Sequence, residues 1–431
     1  MTDWAVIVHE PNTPSAVQCP PDYPLLELSL PTSHAPNRIR TNFFELLPAG
    51  NRIPTVLIDL CLLSMAVYSA DIKLPRETSS DRWTRNIVIY MPVHDVSIWQ
   101  SASKQLSDTL RFLSGDYWQF EFRPAQQTLS PSGKSELKQC QSVCLLSGGL
   151  DSLVGAIDLL SKSQRVALVG HHGAGITNAI QQQVLEKLES AYGDLVQPMS
   201  FYVQAPKIEG SVNEQTMRAR SFLFLCLGLA VTASIGNESL NVAENGFISL
   251  NVPLTTARIG SLSTRTTHPH FMKSIMQLLK MLGLNLEIQL PYQYMTKGEM
   301  LRASADQETL RRIIPKTMSC THPESGRYAA KDPTNHCGYC VPCIIRRAAL
   351  TAASGKDPTK YNASIKRNAP DSHSIKGRDL RAFHMAVERY RKRKPHQMLF
   401  DVLATGPLDP LRISDFVDVY NRGMKEVMSI L

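Results

Sequence analysis

No uninterrupted apolar stretch in this sequence reaches the roughly 18 residues of a membrane span. The nearest approach, Thr55 to Ala70, is broken by Asp59 and two serines and reads as a buried helix. The opening MTDWAVIVHEPN has no basic region leading into a long apolar run, so a secretory signal is not expected. No internal repeat is visible. Cysteine is sparse outside one cluster: four of the nine fall between Cys320 and Cys343, and the others stand singly. That is metal usage in a reducing compartment, not a disulfide framework. Together these absences predict a cytoplasmic protein with no membrane partner. Charge excess is also missing from most of the chain. Residues 361–394 hold ten Lys/Arg against Asp371, Asp379 and Glu388, a net of +7, whereas the whole chain carries +8. A nucleic-acid reading therefore rests on that one segment and is not favoured.

What is present is enough for a real core. With 431 residues, 43% of them hydrophobic and 19% charged, the chain is expected to form about two or three domains. Its organising stretch runs from Ser142 to Leu160, SVCLLSGGLDSLVGAIDLL. Val143 to Leu146 reads as a buried strand, Ser147-Gly148-Gly149 as a tight turn, and Leu150, Val154, Ile157 and Leu160 recur at helical spacing. Glycine lets backbone N–H groups approach a phosphate closely, and the helix N-terminus adds partial positive charge. The Walker A lysine is absent, because Asp151 and Ser152 occupy the place it would need. Ser147-Gly148-Gly149-Leu150-Asp151-Ser152 instead resembles the pyrophosphate loop of the N-type ATP pyrophosphatases. That resemblance implies ATP as co-substrate, with the loop holding the leaving pyrophosphate. A ligand-free Gly-rich turn is the alternative.

Around this stretch, residues 1–135 predict a small α+β domain: a helix at Thr55–Asp71, a strand at Asn86–Val93, a helix at Trp99–Phe112 and a strand at Trp118–Phe122. Pro124 to Lys138 has linker composition. From residue 139 to 352 strands and helices alternate, which predicts a doubly wound parallel α/β sheet with the Ser147 loop at its C-terminal edge. Residues 353–431 form a basic, helical extension, ending in an apolar stripe of Ile413, Phe416, Val417, Tyr420, Met424 and Val427.

Cys320, Cys337, Cys340 and Cys343 make the second strong signal. The last three stand at three-residue intervals in Cys-Gly-Tyr-Cys-Val-Pro-Cys. Four soft thiolates suit tetrahedral zinc and leave no open position for substrate, so the site reads as structural. An iron–sulfur cluster is the rival. His322 and His336 read as solvated loop residues. Asp151 is the expected carboxylate beside magnesium, and Lys297 and Arg220 are expected charge partners for phosphates, with salt-bridged cations as the alternative. Glu244-Asn245, after a predicted strand, offers a carboxylate for a guanine-like edge, or else a solvated strand end. The donor-rich run Ser263 to Pro269, with Arg265 and His268, reads as a substrate cover or as a capped polar loop.

A pyrophosphate loop followed by this cysteine set and Arg346-Arg347 is similar to the QueC-like 7-cyano-7-deazaguanine synthases. Arg220-Ser221 resembles that family's Arg-Asn pair, and Thr296-Lys297-Gly298-Glu299 its Thr-Lys-x-Glu. The likeness covers roughly residues 140–352 and implies a HUP-like pyrophosphatase fold. It also implies ATP, magnesium and structural zinc, and adenylylation of 7-carboxy-7-deazaguanine before ammonia attacks. His171-His172 departs from the family's Asp-Tyr pair, and about 135 residues precede the core. In size and layout the chain looks more like QatC, from the QueC-like proteins of bacterial anti-phage operons. That likeness implies transfer of the acyl group to an amine of a partner protein encoded beside it. Ammonia-dependent nitrile synthesis, and a non-catalytic nucleotide-sensing or nucleic-acid-binding module, are the alternatives.

Overall fold

The computed structural model describes residues 3–431 apart from 12–16, 18–22, 51–52, 134–136, 138–139, 173–175, 208–212, 215, 256–264, 324–331, 333, 367–368, 373 and 375. Its first half supplies strands β1 (Asp3–His9), β2 (Leu25–Ser29), the short β3 (Arg40–Thr41), β4 (Asn86–Val93) and β5 (Tyr117–Pro124). Between them lie helices α1 (Phe43–Leu46), α2 (Thr55–Lys73) and α3 (Val96–Ser114). Four strands form one sheet in the order β2-β1-β4-β5, and every pairing is parallel. This corrects the expected α+β character: α2 and α3 are crossover helices, and alternation within single strands does not report strand direction.

The second sheet is built from β6 (Ser142–Leu145), α4 (Leu150–Leu160), β7 (Val166–His172), α5 (Ile176–Tyr192), β8 (Val196–Gln204), α6 (Arg220–Ser234) and β9 (Ser239–Asn241). It continues through α7 (Gly246–Leu250), α8 (Pro269–Met281) and β10 (Glu287–Gln289). The strand order is β10-β9-β6-β7-β8-β3, parallel except where β3 joins β8 antiparallel. The chain winds from β6 toward β8, then returns to place β9 on the other side of β6. The gap between the ends of β6 and β9 is thus the topological switch point, where such sheets bind ligands.

Alternation along the central strands assigns the two faces. Val143, Leu145, Ala167 and Val169 pack into a core shared with α2, α6, α8 and the first sheet. Cys144, Leu146, Val166 and Leu168 pack into a second core under α4, α5 and α10 (Gln307–Ile313). α2 is apolar on all sides because both of its sides are covered. It is long and apolar enough for a membrane span, yet it is the central helix of the larger core. The apolar core accordingly runs across the compositional boundary near residue 135.

Beyond β10 come α9 (Lys297–Ala303), α10, α11 (Val341–Ser354), α12 (Arg378–Lys392), α13 (Pro395–Leu403) and α14 (Ile413–Met428). The stripe on α14 is buried: Phe416, Val419, Tyr420, Met424 and Val427 share a core with Phe247 of α7 and with Ile344, Ile345 and Ala348 of α11.

Candidate functional site

The loop after β6 has the shape its sequence demands. Gly148 has φ +82°, which favours glycine, and an added Cβ would lie 3.1 Å from Ile180. Ser152 Oγ knots the turn: it accepts from the Ser147 N–H at 3.2 Å and donates to the Gly149 carbonyl at 3.1 Å. The first-turn N–H groups of α4 lack intrahelical acceptors, as at any helix start, and are available to an anion. Met318 N–H donates to the Gly148 carbonyl at 3.0 Å and so ties the loop to the segment that leads into Cys320.

Asp151, only 6% exposed, meets three side chains. Lys297 Nζ lies 2.9 Å from Oδ1, Asn245 Nδ2 donates to Oδ2 at 2.8 Å, and Glu244 shares a hydrogen bond with the same carboxyl. Burial raises the Asp151 pKa, but the Lys297 charge and these hydrogen bonds outweigh it, leaving the carboxyl ionised. Glu244 goes the other way. Burial first, then the Asp151 charge, pushes its pKa well up, so it is the protonated member of the pair. Two carboxyl groups side by side also fit a divalent cation, since the ion replaces the shared proton.

Asp151, Lys297 and Glu244 line a cavity of about 560 Å³ together with Ser147, Gly149, Arg220, Thr267 and Cys320. Arg220 opens α6, and its guanidinium donates to the His171 carbonyl at 3.0 Å and to His171 Nδ1 at 3.4 Å. Burial and the Arg220 charge push His171 down to about 3, so it is a neutral acceptor. Two residues of the N-terminal segment stand behind this corner. Tyr68 packs edge-on to His171 with centroids 5.6 Å apart, and Asp71 Oδ2 accepts from Ala219 N–H at 2.8 Å.

The four cysteine sulfurs all lie within 4.8 Å of one another. Cys320–Cys340 and Cys337–Cys343 are 3.9 and 3.8 Å apart. The edge of a zinc–thiolate tetrahedron with about 2.3 Å bonds is about 3.8 Å, so this donor set fits one zinc ion. Cys337 and Cys340 also donate backbone N–H groups to Cys320 and Cys337 sulfurs at 3.4 Å. Arg346, fully buried, fastens the same segment: it donates to the Ile314 carbonyl and to Thr317 Oγ1, both at 2.8 Å. His336 is not the solvated residue its loop position implies. It is 4% exposed and accepts from Ser319 N–H at 3.2 Å.

Not every expected residue arrives here. Asn245 caps α7, accepting from Ile248 N–H at 3.0 Å, and supports Asp151 from behind instead of lining the cavity. Arg265 and His268 point elsewhere. Arg265 stacks on Phe112 and donates to its carbonyl at 3.1 Å, while His268 caps α8 and pairs with Thr405 at 2.9 Å. Their neighbours Thr266 and Thr267 face the cavity instead. The Arg265 and His268 assignments are corrected because helix capping claims the histidine and the aromatic face claims the arginine. Ser263 and Thr264 of that run lie outside the described residues. Sequence reading missed Tyr68, Asp71 and two residues of α14, Arg422 and Glu426. Arg422 Nε donates to Glu299 Oε1 at 2.8 Å, and Glu426 accepts from Thr296. None of these sits in a motif, and only proximity in space could reveal them.

With this geometry in place, similarity to known proteins can be stated. Residues 266–354 match the family described as queuosine biosynthesis protein QueC. Over 242 residues the chain is 25% identical to the 7-cyano-7-deazaguanine synthases of Cupriavidus taiwanensis and Cupriavidus necator, spanning 52% of this chain and 98% of each relative. The synthase of that name from Saccharolobus solfataricus is 24% identical over 248 residues, 52% of this chain and 48% of the relative.

Proposed function

Because the chain is QueC-like, we propose that it uses ATP to activate the carboxylate of a 7-carboxy-7-deazaguanine-like acid and joins the acyl carbon to ammonia, on the way to the nitrile. The observation that carries this reading is the Asp151–Lys297 pair set at the pyrophosphate loop, in the same cavity as Arg220 and the cysteine-bound segment. A carboxylate is a poor electrophile and an acyl adenylate a good one. The substrate oxygen attacks the α-phosphorus, the bond to the β-phosphorus oxygen breaks, and pyrophosphate leaves against the α4 N-terminus and the Lys297 ammonium. The amine then attacks the acyl carbon and AMP departs with the C–O electrons. A second activation, of the amide oxygen, yields the nitrile. Asp151, with Glu244 once it has lost its proton, would hold a magnesium ion that neutralises triphosphate charge. The zinc ion would stay apart from the chemistry and fix Met318 to Cys320 against the loop.

Purified protein given ATP, magnesium, ammonia and 7-carboxy-7-deazaguanine should release AMP and pyrophosphate and form the 7-cyano base, read by mass spectrometry. Asp151→Asn should lower this turnover by about a hundredfold or more. ADP and phosphate as products, or no turnover, would overturn the reading.

A second reading makes the acceptor an amine of a partner protein, as expected for the anti-phage group. What favours it is the exposed apolar side chains of the basic extension: Met385 of α12, Phe400 of α13 and Leu411 after it are 56, 66 and 88% exposed. A covalent acyl mass increment on a co-expressed neighbour, with no nitrile formed from ammonia, would decide for it. The basic segment supports nucleic-acid binding less well, since Arg389 donates to the Pro253 carbonyl at 3.0 Å and Arg393 pairs with Asp401 at 3.0 Å.

A further inference from the structure

Lys297 is the first residue of α9, so its position is set by the cap of that helix. The cap is a reciprocal box: Thr296 Oγ1 accepts from Glu299 N–H at 3.2 Å, and Glu299 Oε2 accepts from Thr296 N–H at 2.9 Å. The Thr296 hydroxyl proton and Glu299 Oε1 are not used within the box, and α14 engages both. Glu426 accepts the Thr296 hydroxyl proton and also the Gly298 N–H at 3.4 Å. Arg422 Nε donates to Glu299 Oε1 at 2.8 Å, and its Nη2 donates to the Tyr294 carbonyl at 2.6 Å. The fit leaves no spare room, because a Cβ on Gly298 would stand 2.4 Å from Glu426 Oε1. Thr296, Lys297 and Gly298 are all buried, so no water replaces these partners cheaply.

α14 lies outside the stretch matched by the QueC family, yet it clamps the Thr-Lys-x-Glu turn on both sides. We propose that Glu426 and Arg422 are positioning residues that hold Lys297 against Asp151, so that phosphate engagement at the loop depends on the C-terminal helix. This rests on the pyrophosphatase reading only for its kinetic consequence; the positional claim stands on geometry alone. Without the clamp, Thr296 and Glu299 keep their mutual bonds but lose their fixed relation to the sheet. A shift of about 1 Å at a charged group can cost about a hundredfold in rate.

The test uses the full chain and two independent readouts. Lys297 acylation by excess acetic anhydride, followed by peptide mass spectrometry, reports whether the ammonium is still held. ATP turnover reports the consequence. In Glu426→Ala and in the milder Arg422→Gln, Lys297 labelling should rise several-fold over wild type, and kcat should fall about tenfold or more with folded yield preserved. Glu426→Gln should fall between, since the two donors meet different carboxylate oxygens and the amide puts an NH2 in place of one of them. Wild-type protection of Lys297 in the folded variants would overturn the proposal, as would raised labelling with unchanged turnover. Were the wild type itself to lack turnover, the functional reading would fail, while the labelling would still decide the clamp.

Discussion

The N-terminal segment and the C-terminal extension both stand behind residues of the same cavity, Arg220 and Lys297, but they support them by different physics. On the N-terminal side the contact is a buried ionic network. Asp71, Asp116 and Arg85 are fully buried, and Arg76 nearly so. Asp116 binds both guanidiniums, while Asp71 binds Arg85 at 2.6 Å and the N–H that precedes Arg220 at 2.8 Å. Burial disfavours the Arg85 charge, but the Asp116 and Asp71 carboxylates more than offset it and raise its pKa. On the C-terminal side Arg422 is a third exposed and Glu426 only half-buried. Burial raises the Glu426 pKa, partly offset by the Thr296 hydrogen bond. A buried network tolerates no missing member, because the remaining charge has nowhere to go. Losing a member of the partly exposed clamp strands no fully buried charge, because Arg422 and Glu426 themselves reach solvent. The first should govern whether the protein folds, and the second how well the site is aligned.

Metal removal sets the outer limit of that contrast. One zinc per chain is expected, and apparent binding free energies at structural zinc sites are about 10 kcal/mol or more. α14 shares its core with α11, which begins beside Cys340. Chelation should therefore raise hydrogen exchange in α9, α11 and α14 well before β1, β4 and β5. Uniform exposure of both halves would erase the distinction, and an iron chromophore would overturn the metal assignment.

Next in size is Asp71→Ala, which leaves the Ala219 N–H unmet and two buried guanidiniums with Asp116 as their one remaining carboxylate. A loss of about 3–5 kcal/mol is expected in denaturant unfolding, with little folded protein recovered. A loss below about 1 kcal/mol would mean that the N-terminal network is no more demanding than the C-terminal clamp.

The effect that is smallest near neutral pH is acid sensitivity, and it touches both regions. His171 packs on Tyr68 of the N-terminal segment and faces Arg220. His268 pairs with Thr405 of the extension and faces Arg265 and His270. Each is pushed down to about 3, by burial first and then by these neighbouring charges. As pH falls, the unfolded chain takes up protons near 6.5 while the folded chain does not. The stability present above that value is lost progressively toward pH 3, at up to about 1.4 kcal/mol per pH unit for each histidine. His171→Gln and His268→Gln should each flatten the pH dependence of unfolding between about 6.5 and 3. An unchanged slope in both would show that other groups carry the acid response.

The motifs were legible in so far as their residues meet in space. Ser147 to Ser152 form the loop, the four cysteines converge, and Lys297, Arg220 and Glu244 reach one cavity. The parallel second sheet also followed, since alternating strand and helix leaves few other arrangements. The direction of the first-sheet strands was not legible, because a single strand's pattern records which face is buried and not which way its neighbour runs. Arg265 and His268 misled for a related reason: donor-rich composition does not say whether a cap, an aromatic ring or a ligand takes the donors. Asp71, Arg422 and Glu426 left no local trace, because their partners lie 148, 123 and 130 residues away.

Those separations bear on how the protein is made. Thr296 and Lys297 leave the ribosome well before Glu426, so the capping turn must wait through the synthesis of about 130 residues for its partner. Long-range closures of this kind come late in folding. If α14 holds Lys297 as proposed, a nascent chain can complete the loop after β6 and its sheet while Lys297 is still unanchored, and Lys297 is fixed against Asp151 only after α14 docks.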